Sequence, residues 1–422
     1  MTRTRIWHPF TQHGLDEPIP NIVRTQGAHL WTDGGDRLID AISSWWVTTH
    51  GHAHPRIADA IAEAAGQCDQ IIFAGHTHPY AEAVAEGLAA LFPSALAHIF
   101  FSDSGSTSVE VALKMALGYW ASRDEARHRI LVLEHSYHGD TIGAMSVGAR
   151  GVFNAAYAPL LFDVETLPFP GGDTAQATLD ALEAACRAKP AALIVEPLVL
   201  GAGGMLIYAP SVLAEMHTIC ARHGVLFIAD EVMTGWGRTG TLTACEQAGV
   251  VPDIMCLSKG LTGGSLPLAV TLASAAIYDA HYSTDRAAMF FHSSSYTANP
   301  IACAAAAANL AIWREEPVPD RVGDLAARQA GWAARVRGWP GVANVRHLGT
   351  LTAFEVADPD RPGYLSTLGP AIKAQCAAAG VLLRPLGNTV YVMPPYCIDA
   401  DDLGMVYTAI EDAISAGCAA KA

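Results

Sequence analysis

The sequence has little positive charge. Its 26 Lys and Arg residues are outnumbered by 41 Asp and Glu residues, which gives a formal net charge of −15 at pH 7, and the basic residues form no run. Nucleic acids and anionic membranes bind proteins mainly through basic patches. We therefore expect small molecules as partners, and neither nucleic acid nor a membrane.

The sequence also lacks the cysteine spacing of a zinc site or a disulfide framework, because its nine cysteines are dispersed and no C-x-x-C occurs. Such cysteines indicate buried thiols in a reducing compartment. The segment MTRTRIWHPFTQHG at 1–14 has no apolar core like that of a signal peptide. The longest apolar stretch, at 301–313, is shorter than a bilayer span. We therefore predict a cytoplasmic location and no membrane segment.

What the chain does have is length and a regular alternation of patterns. Its 422 residues, 51% of them apolar, can bury the cores of two domains. In the middle of the chain, short runs that are apolar at nearly every position alternate with helical segments, as in a parallel sheet covered on both faces. We predict strands at 98–102, 129–134, 191–197, 225–232 and 254–259, and helices at 108–122, 178–187 and 211–223. This pattern predicts an α/β fold with a mostly parallel central sheet.

Two of these predicted strands end in residues suited to one cofactor. Asp230 ends the apolar run VLFIAD, and Lys259 lies between the run IMCL and the loop GLTGG. Because ligands of open α/β sheets bind beyond the carboxyl ends of the strands, both side chains are expected to face one pocket. Pyridoxal phosphate needs such a pair: a lysine amine that forms an imine with it, and a carboxylate that keeps its ring nitrogen protonated. Taken alone, a turn-capping Asp and a solvated strand-end Lys would be the simpler explanation.

A third segment, SDSGSTSVEVALKMA at 102–116, predicts an anion site where a strand is followed by a helix. Ser104, Gly105 and Ser106 supply small hydroxyls and the exposed N–H groups of a helix start, which suit a cofactor phosphate. A simple N-cap is the structural alternative, since Ser is a usual capping residue. The presence of Asp230 and Lys259 favours the phosphate.

A fourth segment, HSYHGDTIGAMS at 135–146, also follows a predicted strand. The ring of Tyr137 could stack on a cofactor, and Asp140 could orient neighbouring groups. The histidines here and in THGHAHP at 49–55 are crowded and lack a partner set of Cys or carboxylates, so we predict no metal. The loop TGWGRTG at 234–240 lacks the third glycine of a dinucleotide-binding loop, which disfavours a nicotinamide-dependent dehydrogenase.

With these residues in place, the chain resembles the class III aminotransferases of pyridoxal-phosphate fold type I over nearly its whole length. The motif I-A-D-E-V-x-T-G-x-G-R-T-G at 228–240, followed by L-S-K-G-L-T-G-G at 257–264, carries this resemblance. It implies a large cofactor-binding domain at 56–314 and a smaller α+β domain built from both termini, at 1–55 and 315–422. It also implies pyridoxal 5′-phosphate as cofactor and a homodimer whose active site lies at the subunit interface.

The resemblance assigns a role to each matching residue of the cofactor site. Lys259 would form the imine and then shuttle the substrate proton. Asp230 would hold the ring nitrogen, and Tyr137 would stack on the ring. The residues implied to hold the phosphate are Ser104, Gly105, Ser106 and, from the neighbouring subunit, Ser295.

Finer features resemble a branch of the family that aminates 8-amino-7-oxononanoate to 7,8-diaminononanoate in biotin synthesis, with S-adenosylmethionine as amino donor. These features are IWHPFTQ at 6–12, SSWWVTTHGHAHP at 43–55 and RPLGNTVYVMPPY at 384–396. A long aliphatic oxo-amino acid needs an apolar tunnel with one cation at its end. Trp45 and Trp46 would line this tunnel and Tyr391 would complete its wall. Arg384 would bind the carboxylate through paired guanidinium hydrogen bonds, whereas core tryptophans and a surface arginine are the structural alternatives.

Two departures from this branch leave the amino donor open between S-adenosylmethionine, lysine and another amine. Members often have Tyr where this chain has Phe10, and often read H-G-P-T-F where it has HSSSY at 292–296. Ser295 keeps a hydroxyl for the phosphate, whereas Ser293 and Ser294 alter the rim of the pocket. Phe10 and Ser293 are therefore included among the expected substrate-binding residues.

Two other functions remain as alternatives. A class III ω-aminotransferase would act on diamines or β-amino acids with a keto acid acceptor, and the tryptophan pair argues against it. A non-catalytic pyridoxal-phosphate-binding protein would be expected to have lost Lys259 or Asp230, and both are present.

Overall fold

Strands and helices alternate through the described residues, which are 4–358 and 363–419 of a computed structural model. The strands are β1 (Ile22–Gln26), β2 (His29–Thr32), β3 (Arg37–Asp40), β4 (His98–Ser102), β5 (Ile130–Leu133), β6 (Glu165–Leu167), β7 (Ala192–Val195), β8 (Val199–Leu200), β9 (Leu206–Ile207), β10 (Leu226–Asp230), β11 (Ile254–Leu257), β12 (Ala269–Ala273), β13 (Val342–Leu348), β14 (Leu351–Val356), β15 (Val381–Leu382) and β16 (Thr389–Val392). The helices are α1 (Ser43–Trp46), α2 (Pro55–Gln67), α3 (Pro79–Leu91), α4 (Gly105–Ala121), α5 (Ile142–Ser146), α6 (Ala175–Cys186), α7 (Pro210–His223), α8 (Ala244–Ala248), α9 (Ala275–Asp279), α10 (Pro300–Glu315), α11 (Val318–Val336), α12 (Leu368–Ala378) and α13 (Ala400–Ala419). Within the described ranges, no helix combines the length and hydropathy needed to cross a bilayer.

Seven strands form the central sheet, in the order β4-β12-β11-β10-β7-β5-β6. Neighbouring strands are parallel except in the two pairs that involve β12. The five strands and three helices expected from the sequence are present, each within a few residues of its predicted bounds. The prediction of an α/β fold with a mostly parallel sheet is confirmed.

The five inner strands of this sheet, β12, β11, β10, β7 and β5, bury both of their faces. In β5, Leu131 and Leu133 belong to one hydrophobic core, whereas Ile130 and Val132 belong to the other. Helix α4 contributes to the second core and α7 to the first. This two-sided burial explains why the strands are apolar at nearly every position of the sequence.

The antiparallel strand β12 is absent from the sequence prediction. Its letters, AVTLA, are as apolar as those of the parallel strands, and apolar periodicity does not encode strand direction. The connection from β11 to β12 contains a 3₁₀ turn at Lys259–Thr262 and no crossover helix, so the chain returns antiparallel to β11. Lys259 therefore lies in the connection between two hydrogen-bonded strands.

Segments from both ends of the chain share a second sheet. Its order is β1-β2-β3-β15, and β15 pairs in parallel with β3. Strands β13, β14 and β16 form a third, antiparallel sheet. The domain boundaries given above stay a prediction. The parts of the predicted small domain that lie outside the described residues are 1–3, 359–362 and 420–422.

Candidate active site

The carboxyl ends of β10 and β11 bring the two key polar residues to one edge of the central sheet. Asp230 is the last residue of β10, and Lys259 follows β11 by two residues. The strands are parallel, and Asp230 is in register with Cys256 near the end of β11. The expected convergence of Asp230 and Lys259 is thus what the strand pairing produces.

Lys259 is half-buried, and its amine has no hydrogen bond or ion pair within the described residues. Its Nζ atom lies 4.8 Å from the ring centroid of Trp46. Burial lowers the pKa of the amine to about 8, although the negative charges of Asp230 and Glu196 oppose this change. About a tenth of the amine is therefore unprotonated at pH 7 and about half at pH 8, far more than in an exposed lysine, and only the unprotonated amine acts as a nucleophile or general base.

The carboxylate of Asp230 pairs with a histidine that the sequence did not single out for this role. His138 Nδ1 lies 2.7 Å from Asp230 Oδ2, and both side chains are buried. The backbone N–H of Val232 donates to Asp230 Oδ1 at 3.1 Å. His138 directly follows Tyr137 in the segment beyond β5, which ends at the same edge of the sheet as β10. This position after a strand was the sequence feature that could have identified it.

Glu196, which follows β7, fixes the backbone on either side of the site. Its two oxygens accept the N–H groups of Tyr137 at 3.0 Å and Gly201 at 2.9 Å. Burial raises the pKa of Glu196 to about 7, the nearby His138 opposes this, and Asp230 adds to it. Tyr137 lines a cavity of about 220 Å³ together with Asp140. Burial and the Asp140 charge raise the pKa of the Tyr137 phenol, so the phenol stays neutral.

The predicted anion site is the N-terminus of helix α4. Ser104 is its N-cap, and Ser104 and Thr107 form a capping box. In this box the hydroxyl oxygen of each residue accepts a hydrogen bond from the backbone N–H of the other. The N–H groups of Gly105 and Ser106 are the first of the helix and have no intrahelical acceptor. A Cβ on Gly105 would lie 2.6 Å from Val232 Cγ1, so glycine permits this close packing. The capping and anion-binding interpretations are compatible, because the cap uses the hydroxyls and N–H groups of Ser104 and Thr107 and not the N–H groups of Gly105 and Ser106.

Trp45 and Trp46 lie in α1, a single turn with a left-handed backbone that we call the tryptophan turn (residues 43–46). All four residues have positive φ, and Ser44 (φ 44°, ψ 55°) and Trp45 (φ 73°, ψ 46°) lie in the left-handed helical region. Such a backbone costs a non-glycine residue about 1–2 kcal/mol. The surroundings of the turn must therefore hold it in this form.

The tryptophan turn directs Trp46 inward. Trp46 is 4% exposed, and its Nε1–H donates to the hydroxyl of the fully buried Tyr391 at 3.0 Å. Tyr391 belongs to β16, where it pairs with Ala353 of β14. A residue from the C-terminal part of the chain thus fixes the ring that faces the Lys259 amine.

We call Trp46, Tyr391, Trp45 and Phe10 the aromatic wall. Trp45, which is 37% exposed, forms its outer part. The Arg384 guanidinium lies 4.7 Å from its ring centroid, and Arg384 Nη2 donates to the backbone oxygen of Phe10 at 3.5 Å. The ring of Phe10 lies 5.4 Å from that of Trp45 and 6.2 Å from that of Phe153. The half-buried Arg384 is therefore part of the wall.

Ser293 and Ser295 lie apart from this group. Both are exposed; the Ser293 hydroxyl donates to the backbone oxygen of Ser294, and the backbone oxygen of Ser295 accepts from the Gln70 amide. Among the described residues, no contact joins either serine to Lys259. A contribution of Ser295 to a second subunit stays a prediction.

Three features of the site fit pyridoxal phosphate. The Lys259 amine, which makes no hydrogen bond or ion pair in the described part of the chain, is available to form an imine with it. A buried carboxylate, braced by a histidine, is available for its ring nitrogen. The unpaired N–H groups at the start of α4 are available for its phosphate.

Comparison with known proteins agrees with this fit. Residues 10–414 match the family described as Aminotransferase class-III. The chain belongs to this family. Class-III aminotransferases depend on pyridoxal phosphate, so the protein is a pyridoxal-phosphate-dependent aminotransferase.

One sequence relative and two solved structures are similar to this aminotransferase over nearly its whole length. It is 47% identical to an adenosylmethionine-8-amino-7-oxononanoate aminotransferase of Synechococcus elongatus, over 96% of this chain and 97% of the relative. A solved structure of an enzyme with the same name from Methanocaldococcus jannaschii has 30% identity and a TM-score of 0.92, with 97% of each chain covered. The PLP-bound structure of an amine transaminase from an uncultivated Pseudomonas species has 31% identity and a TM-score of 0.92, with 98% of this chain and 99% of that one covered. These structures confirm the predicted fold type I.

The pH dependence of cofactor loading tests the state of the aminotransferase's Lys259 amine. Because burial lowers its pKa from 10.5 to about 8, the unprotonated amine becomes available at lower pH than in an exposed lysine. At pH 8, roughly half of the amine would be unprotonated, against less than about 1% for the ordinary pKa. We expect the rate at which apoprotein binds pyridoxal phosphate, followed by absorbance, to rise with a midpoint near pH 8. Glu196→Gln separates this midpoint from the titration of Glu196, and a midpoint near 10 would contradict the burial argument.

Proposed function

We propose that this aminotransferase converts 8-amino-7-oxononanoate to 7,8-diaminononanoate, a step of biotin synthesis, with S-adenosylmethionine as amino donor. The observation that carries the proposal is the wall beside Lys259, which combines two tryptophans and a tyrosine with a half-buried guanidinium. A long aliphatic substrate with a carboxylate needs such an apolar path and a cation. The name of the Synechococcus relative supports the same substrate.

Lys259, Asp230 and His138 manage the protons of the reaction in this proposal. When bound, pyridoxal phosphate supplies a protonated ring that withdraws electrons from the reacting carbon of the substrate. Asp230 holds the proton on the ring nitrogen, and His138 keeps the carboxylate oriented for this contact. Lys259 Nζ takes a proton from the reacting carbon of the amino donor and later gives one to that of the acceptor. A pKa near 8 suits an amine that must do both.

Other residues of the chain hold the phosphate and the ring. The N–H groups of Gly105 and Ser106 bind the phosphate oxygens, while Ser104 caps the helix that presents them. Tyr137 stacks on the ring from the backbone position that Glu196 fixes.

The aromatic wall and Arg384 select the substrate. Trp46 and Tyr391 form its inner part, and Trp45 and Phe10 form its outer part. The Arg384 guanidinium binds the substrate carboxylate with two parallel hydrogen bonds. The apolar stretch between them matches the aliphatic chain of the acceptor.

A homodimer completes the site in this proposal. Ser295 is exposed in the single chain, where its hydroxyl is available to the phosphate of a neighbouring subunit. Ser293 then lies at the rim of that neighbour's substrate pocket. We place the dimer in the cytoplasm, with small molecules as its substrates.

A second candidate is an ω-aminotransferase that transfers amino groups from simple amines to a keto acid. The similarity to an amine transaminase at 31% identity favours it, as does Phe10, which offers no hydroxyl to a polar substrate. The two candidates differ in both donor and acceptor, so one set of reactions separates them.

Single-turnover half-reactions test the proposal. The protein loaded with pyridoxal phosphate is mixed with S-adenosylmethionine, lysine or a simple aryl amine, and the aminated protein is then mixed with 8-amino-7-oxononanoate or pyruvate. We expect S-adenosylmethionine to react at least about tenfold faster than the aryl amine, which has no carboxylate for the cation, and 8-amino-7-oxononanoate at least about tenfold faster than pyruvate, which has no chain to contact the wall. A faster reaction of lysine than of S-adenosylmethionine would contradict the proposed donor. Discharge by pyruvate with no reaction of 8-amino-7-oxononanoate would establish the second candidate. Growth of a biotin auxotroph lacking this step, rescued by the chain, is the matching test in cells.

A further inference from the structure

The buried carboxylate of Asp40 holds one side of the tryptophan turn. Asp40 is the last residue of β3 and is 0% exposed. Its Oδ1 accepts the N–H groups of Ile42 at 3.2 Å and Ser44 at 2.9 Å. Its Oδ2 accepts the Ser44 hydroxyl at 2.8 Å and lies 2.8 Å from His52 Nε2. Both oxygens are therefore fully used within the protein.

These contacts act on Ser44, the residue directly before Trp45 in the left-handed turn. Ser44 precedes Trp45 and has left-handed φ and ψ. Its backbone N–H and its hydroxyl both end on Asp40. Local hydrogen bonds from a short polar side chain and its backbone stabilise conformations that sterics disfavour. The carboxylate thus offsets the cost of the left-handed backbone.

The buried Arg238 contacts both the first and the last residue of the turn. Its guanidinium donates to the backbone oxygens of Trp46 at 3.2 Å and Thr48 at 2.9 Å, and to the Ser43 hydroxyl at 3.0 Å. Asp40 and Arg238 thus form a pair of buried charged residues that hydrogen-bond to the turn. Asp40 is the member of this pair that bonds to the left-handed Ser44 itself.

We propose that Asp40 is a positioning residue of the aminotransferase that acts by keeping the tryptophan turn left-handed. The turn in this form places the Trp46 ring beside Lys259 Nζ. It also places the Trp45 ring beside the Arg384 guanidinium. The inference rests on the proposed function in taking these two rings as the wall of the substrate path. Loss of Asp40 then weakens binding of the amino acceptor and leaves cofactor loading intact.

Substitution of Asp40, with a glycine rescue, tests this role. Asp40→Ala removes the carboxylate that accepts hydrogen bonds from Ile42 and Ser44, and we expect the KM of the amino acceptor to rise at least about tenfold with little change in bound cofactor. Asp40→Asn keeps one acceptor oxygen and should lose less. Adding Ser44→Gly to Asp40→Ala should recover at least about half of the lost kcat/KM on a logarithmic scale, because glycine adopts the left-handed backbone without steric cost. Near-ultraviolet circular dichroism, whose signal includes the packing of Trp46 on Tyr391, should change and recover in parallel.

Asp253→Ala is the control for the loss of a carboxylate that accepts a backbone hydrogen bond away from the tryptophan turn. Asp253 accepts the N–H of Phe227 at 2.8 Å and precedes β11, at the edge of the sheet opposite Lys259. We expect this variant to lose thermal stability without a change in KM. The same behaviour in Asp40→Ala, or a loss of kcat/KM that Ser44→Gly does not recover, would overturn the proposal. The comparison uses whichever acceptor the wild type turns over, so failure of 8-amino-7-oxononanoate as a substrate contradicts the proposed function and leaves this test in force.

Discussion

Lys259→Ala is expected to lower the rate of transamination by at least about a thousandfold. A positioned general acid–base group contributes about 10²–10⁴-fold, and this residue also supplies the amine that forms the imine. In the structure its amine has a pKa near 8 and lies beside the Trp46 ring. Steady-state rates at saturating donor and acceptor measure the effect. Cofactor content, measured after denaturation, should fall less than the rate, since the start of α4 still binds the phosphate.

Two further variants serve as controls for Lys259→Ala. Lys259→Arg keeps a positive charge yet supplies no amine able to release its proton near neutral pH, so it should be as inactive as the alanine variant. Lys373→Ala removes a lysine whose only close acidic partner in the described residues is Glu17, at 3.6 Å on the surface, and should behave as wild type. More than about a tenth of the wild-type rate in Lys259→Ala would rule out the assigned role.

The strands that carry the site could be predicted from the sequence, because they are recognisable as short apolar runs. The runs ending at Asp230 and near Lys259 are apolar on both faces, and in a parallel sheet such runs deliver their next residues to one edge. The direction of each strand could not be predicted, because apolar periodicity is the same for parallel and antiparallel strands. The antiparallel β12 was missed for this reason, although it explains why the Lys259 loop is short.

The partners of the key residues were not predictable in the same way. His138 and Asp230 are 92 positions apart, and Asp40 and His52 meet across a turn whose left-handed backbone no propensity favours. Sequence shows that polar residues stand in apolar surroundings, but only the fold decides which of them face each other. Glu196 illustrates the same limit, because its two backbone contacts come from separate loops.

The site therefore combines a predictable frame with a network of buried charges that the fold assembles. Glu196 and Lys259 both have a pKa moved toward neutrality by burial, to about 7 and about 8. The charge of Asp230 couples to both groups, since it raises the pKa of each. A change at Asp230 is thus expected to affect the proton balance of the whole site.

Asp230→Asn is expected to lower the transamination rate by about 10²–10³-fold, the scale for loss of one preorganised electrostatic contact. An amide carries no charge and cannot hold the ring nitrogen of the cofactor protonated, so the ring withdraws electrons poorly. The substitution keeps the size of the side chain, and its oxygen can still accept from His138, so the fold should persist. Single-turnover rates and the absorption spectrum of the bound cofactor measure the change.

A cofactor analogue methylated on its ring nitrogen separates this role from simple disruption. The methylated ring carries its positive charge whatever residue stands at 230, so it should restore a large part of the rate in Asp230→Asn. The same analogue should give little benefit to the wild type, whose carboxylate already maintains that charge. A variant that keeps a near-normal rate, or one that the charged analogue fails to improve although it binds, would show that Asp230 does not act through the ring nitrogen.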